Sequence, residues 1–147
     1  MAVTDSREVV IEATPEEILD VIADVGNVPT WSPQYQSSEV LSTYDDGRPK
    51  RVMMTVKAAG ITDQMEVEYT WTGNNAGWRL IKSGQLKKQE ATYTLTPAGD
   101  TTTVRFELTV DPSIPIPGFI LKRTLKGGLA TATDGLRTQV LKLKKGG

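Results

Sequence analysis

The 147 residues of this chain include no cysteine and no histidine, so any chemistry it performs falls to carboxylates, lysine, arginine, tyrosine and backbone groups. Thiol catalysis, a Ser-His-Asp arrangement, zinc held by its usual ligands and c-type haem are all excluded. The polar side chains best placed to act are those sharing a strand face with aromatic residues. In "WRLIK" Lys82 has the parity of Trp78 and Leu80, and in "QEATY" Gln89 has the parity of Tyr93. Lys82, Gln89 or Tyr93 would then fix the orientation of a molecule held against an apolar wall. No carboxylate shares that inward parity within the clearly alternating strands.

Around these groups the sequence supplies hydrophobic surface suited to a guest. Tyr69, Trp71, Trp78 and Tyr93 form a rigid aromatic set that binds planar or acyl molecules with little loss of entropy, and Met54 and Met65 are adaptable. Ordinary core packing accounts for the same residues equally well.

Two kinds of element must position this wall. From about Ser37 to Val110 the apolar period is two, broken by turn clusters at "DDGRP", "AAGITD", "GNNAG", "KSGQ" and "TPAGD". Six antiparallel strands joined as a meander fit. Val52, Met54, Val56 and Ala58 share a face, followed by Met65, Val67, Tyr69 and Trp71, and later by Val104, Phe106, Leu108 and Val110. The opposite face carries Arg51, Lys57, Glu66, Glu68, Lys88, Glu90, Arg105 and Glu107, so one side of the sheet is dry and the other wet.

Before the meander, a strand ends near "EVVIEA" and a helix opens at "TPEEILDVIADV". Thr14 is its N-cap, Pro15 sits where no N–H is needed, and Glu17 completes a capping box. "NVPTWSP" is then a short helical turn or loop, with Trp31 packed under the first helix or placed at a pocket mouth. After the meander, "DPSIPIPG" delivers the chain into a helix from about Phe119 to Lys144. Its apolar stripe is Leu121, Leu125, Leu129, Ala132, Leu136, Val140 and Leu143. Gly128 and Gly135 lie on one flank of that stripe and Gly127 points away. Each glycine costs the helix about 1 kcal/mol relative to alanine, which calls for either close helix–sheet approach or room for a guest.

This order is α+β, with a single long helix covering the dry face of a large sheet. One helix cannot fill that concavity, so a pocket is expected between helix and sheet. The helix side would contribute Leu121, Leu125, Gly128, Leu129 and Ala132, and the sheet side would include Phe106. Ile114, Ile116, Phe119 and Ile120 would form a lid, some of them exposed.

Seventeen basic and 18 acidic residues leave a formal charge of −1, with signs interleaved along the wet strand faces, so nucleic acid is not an expected partner. The basic residues of "LKLKKGG", with Arg137, suit the negative end of a helix dipole. No signal-peptide pattern opens the chain and no run approaches 18 apolar residues. The expectation is a cytoplasmic protein without stable membrane insertion. Residues 1–147 should form one domain, a monomer or weak homodimer, with no cofactor and no metal.

"VVIEATPEEILDVIADVGNVPTWSP" at Val9–Pro33 and "PIPGFILKRTLKGGLATATDGLRTQVLK", with the meander between them, resemble the START/Bet v 1-like (SRPBCC) superfamily and its bacterial polyketide cyclase/dehydrase-like group. The resemblance covers essentially the whole chain. It implies a helix-grip fold, in which a curved antiparallel sheet of about seven strands wraps a long C-terminal helix, with two short helices after the first strand. It also implies an internal cavity for a hydrophobic molecule. Similar proteins are lipid and sterol carriers, hormone receptors, aromatase/cyclases and chaperone cofactors, so fold alone does not assign activity. A cyclase of this kind would need polar groups inside the pocket to orient a poly-β-keto chain and assist enolisation and loss of water. Three functions follow: a carrier or sensor of a lipid, fatty-acyl, polyketide or isoprenoid-like molecule; a cyclase/dehydratase; and a protein-interaction module.

Overall fold

The computed structural model describes residues 2–58 and 60–146; Met1, Gly147 and Ala59 of the expected "AAGITD" turn lie outside the described residues. Strand β1 (Val3–Ile11) leads into helix α1 (Pro15–Ala23), a 3₁₀ turn (Val25–Asn27) and helix α2 (Val28–Trp31). Six strands follow: β2 (Tyr35–Thr43), β3 (Pro49–Ala58), β4 (Ile61–Thr72), β5 (Asn75–Ser83), β6 (Leu86–Ala98) and β7 (Thr101–Pro112). The chain ends in α3 (Gly118–Ala130), a π-helical turn (Thr131–Gly135) and α4 (Leu136–Gly146), which together form one long C-terminal helix.

All seven strands join one curved antiparallel sheet in the order β1-β7-β6-β5-β4-β3-β2. The meander is built by tight turns. Gly73 and Gly99 have φ of 59° and 64°, which suits the two-residue loops Gly73–Asn74 and Gly99–Asp100. The strand β1 leaves the meander order to pair with β7, from Val3 opposite Val110 to Ile11 opposite Thr102. This brings the first and last strands together. The helix-grip architecture expected from the sequence is the one present.

The capping box at α1 is complete: Thr14 Oγ1 accepts from the Glu17 N–H and Glu17 Oε1 accepts from the Thr14 N–H. Ile18, Leu19, Val21 and Ile22 are buried, so α1 closes one end of the concave sheet face. Leu125, Leu129, Ala132, Leu136 and Val140 are buried along the long helix. Leu143, also expected on the stripe, is exposed. At the next step of four from Val140 stands Lys144, whose ammonium donates to the Glu12 carbonyl at 3.0 Å and pairs with Glu17, so the last turn meets polar partners instead of core.

The π-helical turn is pinned from both sides. Thr133 is fully buried, donates to Leu129 O at 2.8 Å, and accepts from the Arg7 guanidinium of β1, which also pairs with Asp134 at 2.8 Å. From the sheet, Tyr93 Oη donates to Ala132 O at 2.9 Å. A widened turn in mid-helix marks a departure from the regular ladder, and here β1 and β6 both supply hydrogen bonds to it.

Candidate ligand cavity

Between the concave face and the long helix lies a cavity of about 190 Å³, lined in part by the segment joining β7 to α3. An engineered apolar cavity of about 150 Å³ is enough to admit benzene. Its sheet wall is an aromatic chain with ring centroids 5.2 Å apart for Tyr69 and Trp78, 5.8 Å for Trp78 and Phe106, and 4.5 Å for Tyr93 and Phe106. Met54, Met65 and Gln89 also line the sheet side, and Leu121, Leu125, Gly128 and Ala132 are among the residues lining the helix side.

The remaining residues expected on this wall lie elsewhere. Trp71 has the right parity but stands at the far end of β4, stacked on Tyr69 at 5.6 Å and covered by the Arg48 guanidinium at 5.0 Å. Its indole N–H donates to Pro49 O at 2.8 Å, so it closes that end of the core. Leu80 packs against the core and Leu129 is buried within it, both off the cavity surface. Lys82 is exposed. In the β4–β5 ladder Glu66 pairs with Lys82 but Val67 pairs with Leu80, so Ile81 is an extra, unpaired residue and parity reverses there. The bulge turns Lys82 outward and brings Ser83 opposite Met65.

The same region holds a carboxylate that the alternation did not reveal. Asp63 is buried on the cavity wall, two residues before Met65. Its position falls in the expected turn "AAGITD", but β4 already begins at Ile61, so Asp63 takes the inward parity of Met65, Val67 and Tyr69. The Ser83 hydroxyl donates to Asp63 Oδ2 and the Gly84 N–H donates to Oδ1 at 3.1 Å. Ser83 Oγ in turn accepts from the N–H groups of Gln85 and Leu86. The carboxylate is thus the centre of a clamp between the start of β4 and the β5–β6 turn.

Of the four residues expected to form a lid, Ile114 and Ile116 line the cavity. Phe119 and Ile120 do not, and the Phe119 ring is 67% exposed. The flanking glycines of the helix have different surroundings. A side chain at Gly128 would project into open space on the cavity wall, whereas a Cβ at Gly135 would lie 2.6 Å from the Trp31 carbonyl oxygen. Gly135 therefore permits close approach of helix to loop, and Gly128 leaves room. Trp31 accordingly packs on the long helix as well as lining the cavity.

Several polar wall residues are absent from the parity reading. Tyr35 opens β2 just after Pro33, in a stretch whose prolines suggest loop. Ser32, Gln34 and Thr131 form a small cluster, with both hydroxyls within 3.1 Å of Gln34 Oε1. Burial pushes the Tyr35 phenol up to about 12. Tyr69 and Tyr93 are raised by burial first and by the neighbouring Tyr35 second. Among the described residues no group of three or more acidic side chains is arranged to hold a metal ion. Nor is any described helix long and apolar enough to cross a membrane.

Comparison with known proteins agrees with this geometry. A START superfamily protein from Mycobacterium smegmatis superposes with a TM-score of 0.86 at 25% identity, covering 95% of this chain and 98% of its own. A protein from Thermus thermophilus gives 0.84 at 21% identity, over 96% and 99% of the two chains. The Zhui aromatase/cyclase from Streptomyces sp. R1128 gives 0.82 at 11% identity, over 97% and 95%, a likeness of fold alone. No curated protein sequence is close enough to match. The model of the family described as polyketide cyclase / dehydrase and lipid transport matches residues 2–141, and the chain belongs to that family within the START-like, helix-grip group.

Proposed function

We propose that the protein binds a hydrophobic or amphipathic small molecule, of lipid, fatty-acyl, polyketide or isoprenoid type, between sheet and long helix and acts as its carrier or sensor. The observation that carries this reading is the cavity itself: space for a guest, walled by aromatic, Met, Leu and Ile side chains. Apolar burial would drive binding at about 25 cal/mol per Å². Native mass spectrometry of the purified protein, followed by organic extraction, tests it. A stoichiometric apolar passenger is expected. An empty protein that also fails to brighten an apolar dye would overturn the reading.

A cyclase/dehydratase is the second reading, and it draws on Asp63, the one carboxylate of the wall among the described residues. Both of its oxygens already accept hydrogen bonds, so work as a base would require it to release Ser83 or Gly84. Cyclisation and dehydration of a poly-β-keto thioester that is lost in Asp63→Asn, while binding of the same compound persists, would select this reading over carriage.

A further inference from the structure

The hydrogen-bonding groups of the cavity wall are unevenly distributed by sign and by type. Among the described residues no lysine or arginine lines it, and its only carboxylate is Asp63. Two phenols of the wall, Tyr35 and Tyr69, make no side-chain hydrogen bond to any described residue, although Tyr69 is 3% exposed. Both phenols line the cavity, so a guest there can accept from hydroxyls that no described protein group engages. Gln89 adds a third group. The Trp78 indole N–H can only donate, and it donates to Gln89 Oε1 at 3.0 Å. That contact fixes the amide's orientation and leaves its NH₂ without a partner among the described residues.

The two phenols and the Gln89 NH₂ are therefore neutral groups able to donate to a guest, and no described cation stands beside them. We infer that the cavity selects uncharged guests bearing a carbonyl oxygen, such as ketones, esters or quinones, and discriminates against the matching carboxylates, with Tyr35, Tyr69 and Gln89 as its donors. This rests on the reading of the cavity as a binding site. A carboxylate entering it would lose its hydration, find no cation on the wall, and share the space with the charge of Asp63. A hydrocarbon would enter but take solvent from the phenols without replacing their hydrogen bonds, and so bind more weakly than the ketone.

The test is calorimetric titration at pH 7 with three probes of matched size and shape: 2-acetylnaphthalene, 2-naphthoate and 2-isopropylnaphthalene. The ketone should bind about tenfold tighter than the hydrocarbon, as one or two net hydrogen bonds allow, and the carboxylate weakest. In the Tyr35→Phe/Tyr69→Phe double variant the tenfold preference for the ketone over the hydrocarbon should disappear. Removing unpartnered hydroxyls leaves the fold intact, and an unchanged melting temperature verifies this. Naphthoate binding as tightly as the ketone, or a double variant with undiminished preference for the ketone, overturns the inference while leaving the cavity reading standing. Failure of all three probes, the hydrocarbon included, overturns both.

Discussion

Three helical glycines that look alike in sequence have separate physical roles, and single substitutions separate them. Gly127 is exposed, with nothing near the site of a Cβ. Gly127→Ala should stabilise the protein by about 0.5–1 kcal/mol, the propensity difference alone. A Cβ added at Gly135 would lie 2.6 Å from the Trp31 carbonyl oxygen, and backbone there cannot move aside as a flexible side chain would. Gly135→Ala should destabilise by about 1–3 kcal/mol through overpacking. Thermal melts of the two variants should therefore shift in opposite directions. At Gly128 the new atoms enter the cavity, so Gly128→Leu should abolish binding of an apolar dye with only modest destabilisation; dye titration that matches wild type would remove Gly128 from the binding wall.

At the level of elements, the start of β4 and the β5–β6 turn are held together through one carboxylate. Ser83→Ala deletes the hydroxyl that serves Asp63 Oδ2 and accepts from Gln85 and Leu86, leaving buried polar groups unpaired. A loss of about 1–3 kcal/mol is expected in urea unfolding, and an unchanged midpoint would deny the clamp its structural role. This clamp also marks where sequence patterns stop being informative. Period two from Val52 to Val110, the capping box at Thr14 and the buried stripe from Leu125 to Val140 are local properties, each legible from a few residues. Where a residue sits along the cavity is not local. Parity gives Trp71 the correct face, but only the assembled structure shows that it stacks on Tyr69 away from the cavity lining. Lys82 was hidden by the one-residue bulge at Ile81, and Asp63 by a strand that begins before its turn-like residues have ended. Tyr35 depends on β2 reaching back to Val56, a long-range pairing that the surrounding prolines disguise.

Across the whole molecule, the cavity concentrates buried phenols in the core, and this makes stability depend more steeply on alkali than on acid. Tyr35 is pushed up to about 12, and Tyr69 and Tyr93 are raised as well. In the unfolded chain all three would ionise near the ordinary value of about 10. Their contribution is complete below that pH. Above it the unfolded state releases protons that the folded state retains, so stability falls as pH rises toward the folded values, by about 1.4 kcal/mol per pH unit for each phenol. At the acid end, Asp134 is lowered chiefly by its hydrogen bond to Arg7, and Glu12 by its hydrogen bond to Arg137. Both carboxylates lie at the surface, where screening by water leaves little to lose as they protonate. Urea midpoints measured from pH 4 to 12 should therefore show a shallow acid limb and a steep one above pH 10. Lysine deprotonation overlaps that range, and the Tyr35→Phe/Tyr69→Phe variant separates the two: it removes two of the three phenols and should flatten the alkaline limb while leaving the midpoint at pH 7 nearly unchanged. An alkaline limb of equal slope in the variant would mean that these tyrosines are not withheld from solvent, and the enclosed cavity wall built from them would have to be abandoned.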